Sequence, residues 1–339
     1  MARYEFGQKV PKENKIKAPV DQGHYENLDS LTEDLVFTFN EVKHVLKLNG
    51  KGIKGGSSFK YNFLEKFDKK KVITICVKNW KCNGRELGEL WSANGTDSSL
   101  FGTAIHDALE QDQNGEEITF DKLLKSINSA RRTIMKYGEM GSAISDIKLE
   151  SAKKKEEKRI KQLKTKPLKK KKIEKEPNYA MPSHPVLASL INKDNEICKK
   201  KLLEIVDEFN KLTVELGYDG QTICEPLVSY SPYNMGGFVD RLFIVDRKNK
   251  ICRVQDYKIN VDSNKKETKH KLNGEMAHLP STKISQYTIQ TNFYAFCLYK
   301  AGWTIQGLDA FVYENEWKHY ELELFDFVEF DKLLKKYLK

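Results

Sequence analysis

The stretch GGFVDRLFIVDRKNKICRVQDYKIN, residues 236–260, decides the fold. Apolar and β-branched residues flank DRKNK at 246–250, a charged cluster that cannot pack a core, so the stretch reads as two β-strands joined by a polar turn. Pairing Val245 with Ile251 centres the register on Lys248, and counting outward sets Asp240 opposite Asp256. Neighbours across one face stand about 4.5–5.5 Å apart at Cβ, and two bare carboxylates held that close call for a cation or a proton between them. Lys258 follows Asp256 by two residues and returns to the same face. Two acids and an ammonium on one side of a sheet are the parts needed to hold Mg²⁺ and polarise a phosphodiester. Singly, each of these residues is more often a solvated strand position or a surface ion pair. Asp240, however, lies inside the apolar run VDRLFIV, where a charge near the core needs a partner.

Upstream, TICEPLVSY reads as a strand entering this hairpin through the turn sequence SPYN. A turn at Pro232-Tyr233 pairs Tyr230 with Met235, and counting back sets Glu225 opposite Asp240, a third carboxylate in the row; beside Pro226 it reads equally as an edge-strand charge. In SSLFGTAIHDALE, residues 98–110, a helix starting near Asp97 or Ser98 aligns Gly102, His106 and Glu110 on one face. Downstream, in MAHLPSTKISQYTIQTNFYAFCLYKAG, residues 276–302, Gln286, Gln290 and Tyr294 fall on one helical face, with Ile289, Phe293 and Phe296 turned to the core. A lone helical His, Gln or Tyr means little without its context.

Taken together, GTAIHDALE, GGFVDRL, QDYK and QTNFY, in that order, resemble the PD-(D/E)XK nuclease superfamily, specifically its RecB-like exonuclease branch. The segment WSANGTDSSLFGT is similar to phage-type members and to mitochondrial genome-maintenance exonucleases, while SSFKYNF departs from the Ser-Val-Thr start usual among them. The resemblance implies an α/β fold: a restriction-endonuclease-like core with a mixed central sheet flanked by helices, and an N-terminal helical region. It implies catalytic roles for Asp240, Asp256, Lys258, His106, Glu225, Gln290 and Tyr294, with Glu110 fixing the His106 tautomer. One or two Mg²⁺ or Mn²⁺ ions would be held by Asp240, Asp256, His106 and the Tyr257 carbonyl. The implied activity is cleavage of DNA from free, single-stranded or frayed ends, in replication, recombination or repair, with a helicase or recombination protein as a possible partner. The rival readings are an endonuclease on the same core and a catalytically silent DNA-binding protein.

The remaining chain sets the surroundings. Asn49-Gly50 marks a tight hairpin turn. Ser57-Ser58 resembles an N-cap for a helix over FKYNFLEKF, with Phe59, Phe63 and Phe67 on one core-facing side. PVLASLINKDNEICKKKLLEIVDEFNKLTVELG reads as one long amphipathic helix. With 339 residues and 39% hydrophobic content, there is material for one large or two ordinary domains. No apolar leader opens the chain and no run approaches a membrane span, so neither secretion nor membrane insertion is expected. Six scattered cysteines without a CxxC pair suit a reducing, intracellular setting, and the phage-type resemblance implies the cytoplasm of a bacterial or phage-infected cell. Nothing follows Cys297 that could supply the late cysteine triad of cluster-bearing relatives, so no iron–sulfur cluster is expected. The net charge of +10 is concentrated in residues 153–176, which carry thirteen Lys or Arg against four Glu. That segment reads either as a solvated insertion or as a tether to nucleic-acid phosphates. The expected division is a mobile arm over 1–35, a hairpin and helical part over 36–147, a Lys-rich insertion over 148–182 and the nuclease core over 183–339.

Overall fold

A computed structural model describes residues 14–17, 36–40, 45–48, 51–162, 178–259 and 271–338. Strands β1 (Asn14–Lys17), β2 (Val36–Asn40), β3 (Val45–Leu48) and β4 (Lys51–Gly52) form an antiparallel sheet in that order. Helices α1 (Gly56–Phe59), α2 (Lys69–Trp80), α3 (Gly84–Gln113), α4 (Asp121–Gln162), α5 (Pro185–Leu190) and α6 (Asn195–Glu215) follow. Then come β5 (Thr222–Cys224), β6 (Leu227–Tyr230), β7 (Met235–Phe238), β8 (Arg241–Asp246), β9 (Ile251–Ile259), α7 (Lys283–Lys300), β10 (Thr304–Tyr313), β11 (Trp317–Leu322) and α8 (Phe327–Leu338).

The central sheet has the order β11-β10-β9-β8-β5. Strands β9 and β10 are parallel because α7 carries the chain back between them; every other pairing is antiparallel. The protein is therefore α/β, with a mixed central sheet and flanking helices. The hairpin of β8 and β9 has the expected register, with Arg241 opposite Gln255 and Ile244 opposite Cys252. Val245 departs from it as a bulge, and Asp246 takes its place opposite Ile251. The cause is local: the Asp246 carboxylate accepts from Asn249 N at 3.0 Å and from Asn249 Nδ2 at 2.7 Å, closing the turn on itself.

The chain divides into two compact units. The sheet unit comprises Met1–Glu65, His106–Ile118 and Glu204–Lys339. On one face of its sheet, the α7 residues Ile289, Phe293 and Phe296 pack in a core with Cys252, Val254, Leu308 and Ala310, all buried. On the other, Phe209 of α6 meets the rings of Tyr257, Phe311 and Trp317 at centroid distances of 5.1–5.2 Å. The helical unit comprises Lys66–Ile105 and Thr119–Leu203. There Leu90, Tyr137 and Ala180 pack together, and Arg131 donates to the carbonyls of Ile191 (2.7 Å) and Lys193 (2.8 Å), satisfying the chain end of α5.

Several boundaries differ from the sequence expectation. No helix begins at Asp97 or Ser98, because α3 runs unbroken through WSANGTDSS. The hydroxyls of Ser92, Thr96 and Thr103 each bond to the carbonyl four residues back instead of capping a new start, and buried Asp97 faces inward. The long helix expected after Pro185 is split into α5 and α6, and the Asp194 side chain opens the second by accepting from Ile197 N at 2.9 Å. The helix expected over FKYNFLEKF ends after a single 3₁₀ turn at Phe63; Phe59 and Phe63 are buried, but Phe67 is 69% exposed. The strands carrying the acids are also broken, at Glu225-Pro226 and at Val239-Asp240. Of the expected mobile arm, Asn14–Lys17 is a strand paired with β2. The Asn49-Gly50 turn and the Lys-rich segment from 163 to 177 lie outside the described residues; α4 covers the segment's first residues, to Gln162.

Candidate functional site

The site lies where β8 begins beside the end of β9. The paired rows end at Cys224–Arg241 and Arg241–Gln255, so Glu225, Asp240 and Asp256 each lie one residue beyond the last paired row. Asp240 stands one residue before β8, where the ladder opens, and its Oδ2 accepts the Tyr257 N–H at 2.7 Å. That bond fixes one carboxylate oxygen and leaves Oδ1 directed at His106 Nδ1, 3.9 Å away. Lys258 Nζ lies 2.6 Å from Asp256 Oδ2, 3.5 Å from Asp240 Oδ2 and 2.7 Å from the Tyr257 carbonyl oxygen, to which it donates. One ammonium thus touches three oxygens that the sequence reading assigned to a metal.

His106 comes from α3, and its ring meets the Tyr257 ring edge-on at 5.6 Å between centroids. Burial and then the nearby Lys258 charge pull the imidazole pKa down to about 4, so it is neutral at neutral pH and able to donate a lone pair. Burial, with Asp240 adding to it, pushes the Asp256 carboxyl up to about 6 against the opposing pull of Lys258. Burial alone would lower the Lys258 pKa, but Asp240 and Asp256 together carry it upward, so the ammonium stays charged.

Helix α7 supplies the floor. Gln290 Nε2 approaches Asp256 Oδ1 at 3.5 Å, and Tyr294 is buried, its phenol pKa raised by burial and then by the charge of Asp256 and Asp240. The Tyr294 ring needs Gly237: at φ +156° this residue has a conformation L side chains rarely adopt, and a Cβ there would stand 2.9 Å from Tyr294 Cε1. Glu225 is half-buried at the break between β5 and β6, at φ +49°, and its N–H donates to the Asp240 carbonyl at 3.2 Å. Glu110 follows His106 by one turn of α3 and is half-buried.

Three contributors escaped the sequence reading. Lys60, in the segment read for its phenylalanines, donates to Gln290 Oε1 at 3.0 Å. Tyr287 presents its ring to two cations, with centroid distances of 5.7 Å to Lys258 Nζ and 6.0 Å to Lys60 Nζ. Gln113, at the end of α3, binds the Tyr257 hydroxyl at 3.0 Å through Nε2 and accepts from Cys224 Sγ at 3.0 Å. Only the neighbourhood of the motifs could have pointed to them, because a Lys, Tyr or Gln alone carries no spacing signal.

Among the described residues, no group of three or more His, Cys, Asp or Glu side chains is drawn together as a metal cluster. The donor chemistry nevertheless fits a hard divalent ion. The donors are two carboxylates, a backbone carbonyl and a neutral imidazole, with His106 Nδ1 3.9 Å from Asp240 Oδ1. Among the described residues, Asp256 Oδ2 is buried without a hydrogen-bond partner and lies 2.6 Å from Lys258 Nζ. No protein-family model matches the chain, and no curated protein or solved structure shows significant similarity to it. Among the described residues no helix is long and apolar enough to cross a membrane.

Proposed function

We propose that the protein is a metal-dependent DNA exonuclease built on a PD-(D/E)XK core of the RecB-like kind. The observation that carries this reading is the meeting of Asp240, Asp256, Lys258 and His106 around the Tyr257 backbone at one end of a mixed sheet. Asp240, Asp256, the Tyr257 carbonyl and neutral His106 would hold Mg²⁺ or Mn²⁺, an ion that supplies Lewis-acid activation of water and of the phosphodiester. Lys258, kept charged by both acids, steadies negative charge on the phosphoryl oxygens as it builds. Gln290 orients the Asp256 carboxylate through Oδ1, and Tyr294 packs against the glycine strand that leads into Asp240. The preference for ends follows the resemblance, and among the described residues no helix carries the cluster of Arg, Asn and Gln suited to reading a major groove.

The test is incubation with Mg²⁺, or with chelator, of end-labelled linear DNA beside covalently closed single-stranded circles of the same sequence. Linear DNA should shorten from its ends only with metal, and Asp256→Ala should abolish this. Comparable cutting of circles would make the protein an endonuclease, and unimpaired cleavage by Asp256→Ala would displace the site.

A further inference from the structure

Lys60 is delivered to the site by a rigid element. Its neighbour Phe59 and the following Phe63 are buried, Phe59 against Phe293 of α7 at 5.2 Å between ring centroids. Gly56 brings the same segment flat onto α7, since a Cβ there would lie 3.0 Å from the Gln290 carbonyl oxygen and 3.2 Å from Tyr294 Cζ. The half-buried lysine is thereby aimed past the Gln290 amide, which separates its ammonium from Asp256 by the width of one carboxamide. Lys258 touches Asp256 directly, and both lysines stand over the ring of Tyr287. Two cations therefore line one wall, one at the acids and one a short step outward.

We infer that Lys60 is a substrate contact that holds a second phosphate of the same strand, next to the one being cleaved; this rests on the nuclease reading proposed above. A phosphate oxygen bonded to an ammonium is charged on both sides, so it is a stronger acceptor than the neutral Gln290 amide and exchanges with it when a strand enters. Spacing favours a neighbouring phosphate over the scissile one: a phosphoryl group at Asp240 and Asp256 falls to Lys258, whereas Lys60 lies beyond the Gln290 amide. The substrate class that follows is a polynucleotide presenting at least two consecutive phosphates, not an isolated phosphodiester. The Tyr287 ring stands 5.7 Å from Lys258 Nζ and 6.0 Å from Lys60 Nζ and offers its negative face to both cations.

Single-stranded oligonucleotides, each carrying one uncharged methylphosphonate at a successive position from the cleaved bond, test this with Mg²⁺ present. In the wild type, one position adjacent to the scissile phosphate should lower kcat/KM about tenfold, chiefly through KM, the size expected for one hydrogen bond to a charged group. Lys60→Met should cost a similar factor on the all-phosphate strand, lose nothing further on that one methylphosphonate, and regain most of its KM as Lys60→Arg. A wild-type scan without a charge-sensitive neighbouring position overturns the inference whether or not the variant folds, and so does full additivity of the two losses. A loss confined to kcat would instead make Lys60 a clamp on Gln290. If the wild type cleaves none of the strands, the nuclease reading itself fails, and that outcome is distinct from the others.

Discussion

The Lys258 ammonium and the Asp256 carboxylate meet at 2.6 Å at the end of β9, with the carboxylate side chain only 6% exposed. The pair is more than a salt bridge, because the same ammonium also takes the Tyr257 carbonyl oxygen and reaches Asp240. Lys258 is thus the resident cation of a nest of oxygens and relieves the repulsion that would otherwise separate two neighbouring acids. Replacing it by Met keeps the stem but leaves a buried carboxylate without its charge partner. Removing one member of a buried pair costs about 3 kcal/mol, so Lys258→Met should unfold at distinctly lower denaturant in chelator than the wild type. Millimolar Mn²⁺ should restore more stability to the variant than to the wild type, since the ion takes over the lost neutralisation. Equal stability of both proteins in chelator would show that the pair contributes nothing.

Acid pH should affect the two halves of the site in opposite directions. Asp256, raised to about 6 from an ordinary carboxyl near 3.9, holds its proton more tightly folded than unfolded. Its contribution is present below pH ~4 and is lost as pH rises through about 6. His106, lowered to about 4 from an ordinary 6.5, behaves in reverse: its contribution is present above pH ~6.5 and is lost as pH falls through about 4. The metal-free wild type should therefore change little in stability between pH 4 and 6 on account of these groups. Asp256→Asn should unmask a loss on acidification, and His106→Gln a gain relative to the wild type. Denaturant melts of the three proteins across that window provide the measurement, and parallel curves would refute both assignments.

How far the sequence foretold these arrangements depended on whether a signal was periodic or tertiary. The alternation around DRKNK was enough to place Asp240 across from Asp256, because the register of a hairpin follows from its turn and a period of two. It could not reveal the Val245 bulge, which the Asp246 carboxylate creates by capping its own turn. Asp97-Ser98 looks like a helix start, yet the hydroxyls of Ser92, Thr96 and Thr103 bond to carbonyls one turn back and α3 runs on through it. The His106 position on a helical face was legible; its edge-on contact with Tyr257 was not, since helix and hairpin lie more than a hundred residues apart.

On the proposed reading, in which His106 would be one neutral ligand among several oxygens, His106→Ala should weaken metal binding more than it alters the chemical step. Mn²⁺, which accepts imidazole nitrogen better than Mg²⁺ does, should show the larger loss of affinity. Titration of Mn²⁺ by calorimetry, with no DNA present, reads this directly. Unchanged affinity in the variant would take the histidine out of the site.

Gly237→Ala tests how Tyr294 is seated. The new methyl group would lie 2.9 Å from the Tyr294 ring at a residue with φ +156°, so strain and displacement act together. A destabilisation of about 2–3 kcal/mol is expected. Combining it with Tyr294→Ala, which clears the space, should recover the steric part while retaining the backbone part. Full additivity of the two substitutions in denaturant melts would mean that the ring and the glycine do not meet.

The last prediction separates acids that act from acids that hold. Asp309 of β10 is fully buried on the sheet face opposite Asp256, and accepts from Arg253 Nε and Nη2 at 2.9 Å each, from Gln255 Nε2 at 3.1 Å and from Tyr218 OH at 3.5 Å. His319 Nε2 completes the set at 2.8 Å. Burial alone would raise its pKa, but His319 and Arg253 outweigh burial and hold the carboxyl below its ordinary range. Its stabilising contribution is therefore present above pH ~4 and lost as pH falls through the lowered value. Asp309→Ala leaves the Arg253 guanidinium, whose side chain is 11% exposed, with the exposed Glu321 carboxylate at 3.3 Å as its remaining acid partner, and should cost about 3 kcal/mol. Cleavage per folded molecule should survive, because β10 directs Asp309 away from the nest around Lys258. Asp240→Ala should do the reverse, abolishing cleavage at a smaller cost in stability, about 1–2 kcal/mol for the buried Tyr257 N–H it leaves unpaired. Measuring both variants for denaturant midpoint and for Mg²⁺-dependent shortening of linear DNA decides it: if Asp309→Ala folds but does not cleave, the two faces of the sheet are coupled and the division of roles drawn here fails.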